Sequence, residues 1–460
     1  MSESVVAPNP TSTKQAPLAA GTWIGGSLGR MRGRGHTFML ELFKEYGDVV
    51  RFRLGPVKAM GVCRPEHIKQ VLVDNAKNYS KGTRGFLKLQ MVLGYGLVTS
   101  DGELWKTQRR LMQPSFHKKR LAQFADAMVR AGDATVERWR GAAQGGEVID
   151  VAEEMMATTL DIVTETLLGH PAGDGTRAIA DAVEVVQTDV NKRIMSLWDF
   201  PLSWPTPANR RLRHAREILD HKVLTVIAER RASGQDSGDL LSMLLHAQDE
   251  ETGKGMSDQQ LRDEVMTIYL AGHETTSNAL TWIFHMLSRN PDVERRLYDE
   301  LVEVLGDGPA TLESLPELSL TKRVIYESLR LYPPVWGFSR LSLGEDVIGG
   351  YRVEPGTTVF VSPYAAHRQV EYFQNPEGFD PDRFTDEFLQ GLPRCAYMPF
   401  GAGARQCIGN NFALMEMQLL LATICRTYRL EMEAGHRLKS EPLITLRPAH
   451  GLRMHVRARD

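Results

Sequence analysis

The chain reads as mostly α with small β-sheets, an α+β arrangement in one large domain. Three observations predict this. Helical periodicity recurs from residue 65 to residue 427, whereas strand-like pieces are few and short. No repeat, low-complexity tract or clear linker divides that stretch. Gly234-Gln235-Asp236-Ser237-Gly238 spans only five residues and reads as an interhelical loop.

Residues 1–22 carry Pro8, Pro10 and many Ser and Thr, too little apolar surface to offset ordering, so a flexible tail is expected and the domain is placed at 23–460. From His36 to Tyr46 a helix is expected, with Phe38, Leu42 and Phe43 on one face and Gly47-Asp48 ending it. Val49–Leu54 and Ala59–Cys63 flank Gly55-Pro56 as a hairpin. Helices follow at 65–75, 103–112, 118–141, 150–168, 177–195, 207–231, 238–247, 257–289, 291–305, 321–331 and 409–427, with strand-like pieces at 347–353, 357–362 and 443–454. Ser257-Asp258-Gln259-Gln260 has the form of a capping box, and no proline intervenes before Pro291. The resulting helix spans roughly 50 Å, enough to cross a domain. In its middle lies Ala271-Gly272-His273-Glu274-Thr275-Thr276, a poor helix interior, since glycine costs about 1 kcal/mol against alanine and Thr-Thr adds β-branched crowding. Such a local conflict often marks function.

Composition bounds the partners. The 460 residues include 55 Lys+Arg and 57 Asp+Glu, a formal charge of −2, which argues against a nucleic-acid binder. Cys63, Cys395, Cys407 and Cys425 form neither a disulfide framework nor a CxxC pair, so a reducing, cytoplasmic setting is expected. The polar start has no signal-peptide character, and no uncharged apolar run reaches the roughly 20 residues of a spanning helix, so no membrane anchor is expected.

The sharpest feature is Phe400-Gly401-Ala402-Gly403-Ala404-Arg405-Gln406-Cys407-Ile408-Gly409 before an apolar helix. Glycines let the backbone approach a flat ligand, and a cysteine at a helix start is expected to have a depressed thiol pKa. A buried thiolate facing amide donors is what an axial haem ligand requires. The run Phe-Gly-x-Gly-x-Arg-x-Cys-x-Gly resembles the haem-binding signature of the cytochrome P450 family. The resemblance covers about residues 30–455 and implies the fold of that family around a buried haem b (iron protoporphyrin IX). It makes Cys407 the axial iron ligand, sets Phe400 beside the sulfur, Gly401 in the loop and Gly409 against the porphyrin, and directs Arg405 to a propionate.

Three further motifs agree in order and spacing. Ala271–Thr276 resembles the family's oxygen-activation motif, with Glu274 and Thr275 as acid and alcohol able to relay protons and Gly272 leaving space for a ligand. His273 reads as a packed histidine. Glu327-Ser328-Leu329-Arg330 places an acid and a base on one helix face, and Phe379-Asp380-Pro381-Asp382-Arg383-Phe384 resembles the segment whose arginine completes a structural network of Glu327, Arg330 and Arg383. Trp105 and Arg109 share a helix face and, with Arg340 and Arg405, are implied propionate partners.

The implied activity is a haem-thiolate monooxygenase that inserts one atom of O₂ into a small hydrophobic substrate, by hydroxylation or epoxidation, with electrons from a separate ferredoxin or flavodoxin-type donor and its reductase. Lys106, Arg109, Arg110, Lys118, Lys119 and Arg120 form a dense basic run where that donor can dock. By family position, Phe86–Leu93, Thr188–Phe200, Tyr269–Ala271, Val335–Phe338 and Leu443–Thr445 are expected to line the substrate pocket. Two other readings share the cysteine loop: a peroxide-dependent peroxygenase or isomerase, and a non-catalytic haem sensor. The Glu274-Thr275 pair counts against the first, and the absence of an output domain against the second.

Overall fold

The computed structural model describes residues 14–459 except 170–175, 197–199, 235, 250 and 252. Its axis is the helix Asp258–Arg289, here called the central helix, begun by Ser257, whose side chain accepts from the Gln260 N–H at 3.2 Å. Val151–Leu168, Pro207–Ser233, Ser319–Leu331 and Asn410–Thr427 (the cysteine helix) pack against it, and Thr176–Ile194 packs on Pro207–Ser233. One apolar core runs through these helices, from Met112 and Trp139 to Leu280, Ile325 and Leu420.

The expected hairpin pairs Val49–Leu54 with Val57–Val62, opening a five-stranded sheet that continues through Thr358–Val361, Phe338–Ser342 and Tyr79–Ser80. The 57–62 and 358–361 strands run parallel; the other neighbours are antiparallel.

Several expectations are revised. Of the expected tail 1–22, residues 1–13 lie outside the described residues, but 14–22 are not a loose end. Ala16 and Ala19 are buried, Arg51 N–H donates to the Pro17 carbonyl and Ala19 N–H to the Arg51 carbonyl, both at 2.8 Å. This segment satisfies the outer edge of the 49–54 strand through backbone groups, which needs little apolar side-chain area. The 118–141 helix is three pieces, Lys118–Leu121, a 3-10 turn Ala122–Phe124 and Ala125–Gly145. The second half of 65–75 is a π-helical turn, Gln70–Asp74. Unforeseen elements are the helix Arg84–Leu93 and the strands Phe338–Ser342, Val148–Asp150 and Tyr428–Met432. No helix among the described residues is long and apolar enough to cross a membrane.

Candidate active site

Between the central helix and the cysteine loop lies a cavity of about 560 Å³. Cys407 and Phe400 face it from one side, Ala271, Glu274 and Thr275 from the other. The loop takes its shape from two left-handed glycines, Gly401 (φ 72°) and Gly403 (φ 72°). A Cβ on Gly403 would stand 2.1 Å from the Leu72 carbonyl oxygen, whereas one on Gly401 would meet nothing within 4 Å. Cys407 N–H donates to the Phe400 carbonyl at 2.9 Å, closing the loop. Gly409 precedes the cysteine helix, and a Cβ there would sit 4.0 Å from the Cys407 sulfur.

The helix begins at Asn410, so Cys407 is three residues outside it. The expected depression of the thiol does not occur. Burial pushes Cys407 up, and the Gly409 N–H and the Arg109 charge offset this only in part. The sulfur is exposed only in the sense that it opens on the cavity. A metal bound there would deprotonate the thiol outright. No cluster of three or more His, Cys, Asp or Glu suited to a metal ion exists among the described residues.

The cavity edge carries unbalanced positive charge. Lys81, Arg109, Arg340 and Arg405 meet there, with Asp101 as the carboxylate between them. Arg405 pairs with Asp101, donates to the Ser100 carbonyl at 2.8 Å and lies 3.8 Å over the Trp105 ring. Arg109 donates to the Gln406 carbonyl at 3.0 Å, bracing the residue before Cys407. Arg340 is buried between Phe86 and Phe338, and burial followed by the Arg405 charge pulls it down to about 10. Lys81, which the sequence did not single out, is also buried, donates to the Val98 carbonyl at 2.6 Å and is held far below its ordinary range by desolvation and these arginines. Three arginines and a buried lysine against one carboxylate fit a dianionic ligand edge such as two haem propionates, whose charge would favour the protonated lysine.

On the opposite wall the central helix stays helical through Ala271–Thr276, and its hydroxyls are satisfied within the helix. Thr275 Oγ1 donates to the Ala271 carbonyl at 2.7 Å and Thr276 Oγ1 to that of Gly272 at 3.2 Å. Gly272 does more than leave room for a ligand: a Cβ there would stand 3.1 Å from Val163 Cγ2, so its smallness also lets the 151–168 helix approach. His273 is buried, its Nδ1 2.7 Å from the Tyr269 carbonyl, and burial lowers it to about 4. Glu274 is buried and accepts from Gln187 Nε2 at 2.6 Å and Thr445 Oγ1 at 2.7 Å. Burial raises it to about 7 against these donors and the Arg447 charge. Among the described residues no hydrogen bond joins Glu274 to Thr275.

Glu327 and Arg330 meet fully inside the protein, and the half-buried Arg383 joins them from the edge. Arg330 Nε and Nη2 grip the two Glu327 oxygens at 2.6 and 2.8 Å, and Arg383 Nε reaches Oε1 at 3.1 Å. Arg330 also donates to the carbonyls of His367, Pro376 and Gly378. His367 Nε2 in turn accepts from the Met398 N–H at 2.9 Å, tying the network to the chain entering the cysteine loop.

The cytochrome P450 family model matches residues 17–453. The chain belongs to the cytochrome P450 family. It is 39% identical over 403 residues to cyclooctatin synthase of Streptomyces melanosporofaciens, covering 87% of each chain. It is 37% identical over 453 residues to pentalenene oxygenase of Streptomyces avermitilis, covering 97% of this chain and 99% of that one. The crystal structure of the cytochrome P450DA heme domain superposes with a TM-score of 0.89 at 27% identity, covering 97% and 98%. This P450 is a haem-thiolate monooxygenase acting on a hydrophobic substrate.

Of the expected pocket segments, Phe86, Leu89, Val92 and Leu93, then Val190 to Ser196 in part, Leu270, Ala271, Val335–Phe338 and Leu443–Thr445 line the cavity; Tyr269 does not, and 197–199 lie outside the described residues. Val163, Val186, Gln187 and Thr267 also line it and were not foreseen. No local motif marks them, since tertiary packing alone brings them to the wall.

Proposed function

We propose that this P450 hydroxylates an apolar terpenoid, using haem b ligated by Cys407 and electrons from a separate ferredoxin- or flavodoxin-type donor served by its own reductase, in the cytoplasm. The observation that carries the reading is the cavity itself: a cysteine sulfur on one wall, a carboxyl and an alcohol on the other, and apolar side chains such as Val163, Val186, Ile194 and Phe360 over the rest. Relatives named for cyclooctatin synthesis and pentalenene oxygenation favour a terpenoid over the fatty acids, steroids and macrolides that the same apolar lining admits.

When bound, the haem supplies dioxygen activation and oxygen-atom transfer. The chain's own residues do the rest. Cys407 would hold the iron, and Arg109 fixes its loop through Gln406. Lys81, Trp105, Arg340 and Arg405 would orient the propionate edge. Glu274 holds a proton near neutral pH, and Thr275 presents a hydroxyl at the cavity wall. Apolar residues exclude water and position the substrate.

The donor is assigned to the basic face. A groove there is lined by Trp105, Lys106, Arg109, His117, Lys119 and Arg120 among others. Lys106 pairs with Glu103 at 2.5 Å, and Arg110 with Asp249 and Glu251 at 2.6 and 3.0 Å. Lys118, Lys119 and Arg120 make no ion pair among the described residues, so their charge is available to an acidic partner. The test has two arms. A panel of terpenoid hydrocarbons, fatty acids and steroids is titrated by the spin-state shift of the Soret band, and the product of the tightest ligand is sought with isotopically labelled dioxygen. One labelled oxygen in a terpenoid product supports the reading; binding of fatty acids alone overturns the substrate class. In the second arm, Lys118→Glu with Lys119→Glu slows reduction by an acidic ferredoxin at low salt and leaves substrate titration unchanged, whereas an unaltered rate and salt dependence removes the docking assignment.

A further inference from the structure

We propose that Gln187 and Thr445 are positioning residues that clamp the Glu274 carboxyl against the cavity roof, off Thr275, so that its delivery of a proton is controlled from the substrate side of the pocket. The inference rests on Glu274 being the proton donor of the proposed reaction and adds what holds that donor. Gln187 stands on the helix Thr176–Ile194 and Thr445 between two short strands near the C-terminus, so the acid is gripped by elements far apart in sequence. The donor directions are fixed by chemistry. Gln187 offers Nε2 to Oε2 at 2.6 Å. Thr445 accepts from Asn278 Nδ2 at 3.1 Å, which leaves its single hydrogen for Glu274 Oε1 at 2.7 Å. Both carboxyl oxygens are thereby engaged, while the Thr275 hydrogen goes to Ala271.

A clamp made of two donors favours the ionised carboxyl, and burial opposes it. The charged and titratable neighbours are few. Arg447 faces the acid but is paired with Glu441 at 3.1 Å, and His273 on the same helix stays neutral. Glu416 on the cysteine helix approaches Thr276 rather than Glu274. Gln187, Thr445 and Glu274 all line the cavity, so whatever fills it against the 176–194 helix presses on the clamp. Proton supply is then tied to occupancy of the pocket, and a Gln187 without its amide unties it.

The test uses the haem-loaded full chain in its resting ferric state. The infrared carbonyl stretch of the protonated Glu274 carboxyl, identified by its disappearance in Glu274→Gln, is titrated against pH in wild type, Gln187→Leu and Thr445→Val. Each substitution removes one donor without adding a charge and is expected to raise the midpoint by about one pH unit, because a hydrogen bond to an ionised group is lost. Thr445→Ser, which keeps the hydroxyl, restores the wild-type midpoint. The CO spectrum of the same samples reports haem-thiolate ligation separately, so a failed P450 reading and a failed clamp are told apart. A midpoint that stays put or falls in Gln187→Leu, or in Thr445→Val, with the CO spectrum intact, overturns the assignment of that residue.

Discussion

The Thr275 hydroxyl carries one hydrogen, and in the resting geometry it goes to the Ala271 carbonyl. To pass a proton into the cavity it would have to accept one from the acid side and redirect its own. Thr275→Ala is therefore expected to keep oxidising the electron donor while product falls about 100-fold, the lower bound for losing a positioned proton-transfer group, and peroxide rises in its place. Unchanged peroxide would remove Thr275 from the relay and revive the peroxygenase reading. Glu274, raised by burial to about 7, is mostly protonated below that pH and ionised above it. A step that needs its proton slows as pH rises through 7, and Glu274→Gln flattens that limb of the rate profile. At the opposite edge, Lys81→Met or Arg340→Met is expected to speed haem loss about tenfold or more, since each removes a charged donor in a water-poor site; transfer of haem to an excess of apomyoglobin measures it. That Cys407, Arg405 and Glu274 come to one cavity was legible from their fixed spacing. Lys81 was not, because a single lysine between Ser80 and Gly82 looks like any solvated loop residue until the fold buries it.

At the scale of elements, the cysteine loop is held by devices of two kinds. Backbone conformation is one: Gly403 is both left-handed and pressed on the Leu72 carbonyl, so Gly403→Ala strains the loop twice over. The buried network is the other. Removing the carboxylate in Glu327→Leu strands Arg330 and Arg383 among carbonyls, and breaking a buried pair in this way costs about 3–5 kcal/mol. Calorimetry of the apo- and haem-loaded variants is expected to show a lowered unfolding temperature in both. A wild-type unfolding temperature would reduce the network to a passive contact. The long helices were legible from periodicity, but Arg84–Leu93 was missed although Phe86, Leu89, Val92 and Leu93 recur at helical spacing: the run is only ten residues long and turns that stripe to the cavity, with only Val92 and Leu93 buried. The 118–141 helix was over-read because Lys118–Leu121 and Ala125–Gly145 continue one pattern across a tight turn that no proline or glycine marks.

For the whole molecule, the formal charge of −2 conceals an uneven interior. Glu264 and Glu416 are buried, each has a carboxyl oxygen without a partner, and desolvation lifts both to about 8. Unfolded, each would titrate near an ordinary carboxylate value of about 4.3. At these two groups the folded state therefore holds more protons between those values, and their contribution to stability is fullest at low pH and falls as pH rises toward 8. The histidines His36, His273, His285 and His367, lowered by desolvation, contribute in the opposite sense below about 6.5. Denaturant unfolding of wild type and Glu416→Gln between pH 5 and pH 8 isolates one of the two carboxyls: the difference between them is expected to change by up to about 1.4 kcal/mol per pH unit. A pH dependence identical in the variant would mean that Glu416 keeps its charge inside the protein. The architecture was readable at this scale from one undivided helical stretch. Beyond reach of sequence was the docked segment 14–22, whose attachment is made by backbone groups that any residues carry. The central claim is that Cys407 binds haem iron as a thiolate, and the absorption spectrum of the reduced, CO-treated protein tests it most directly. The wild type is expected to show the strongly red-shifted Soret band of thiolate ligation, lost in Cys407→His even where pigment is retained; a wild type without that band, or a Cys407→His variant that keeps it, would contradict the claim.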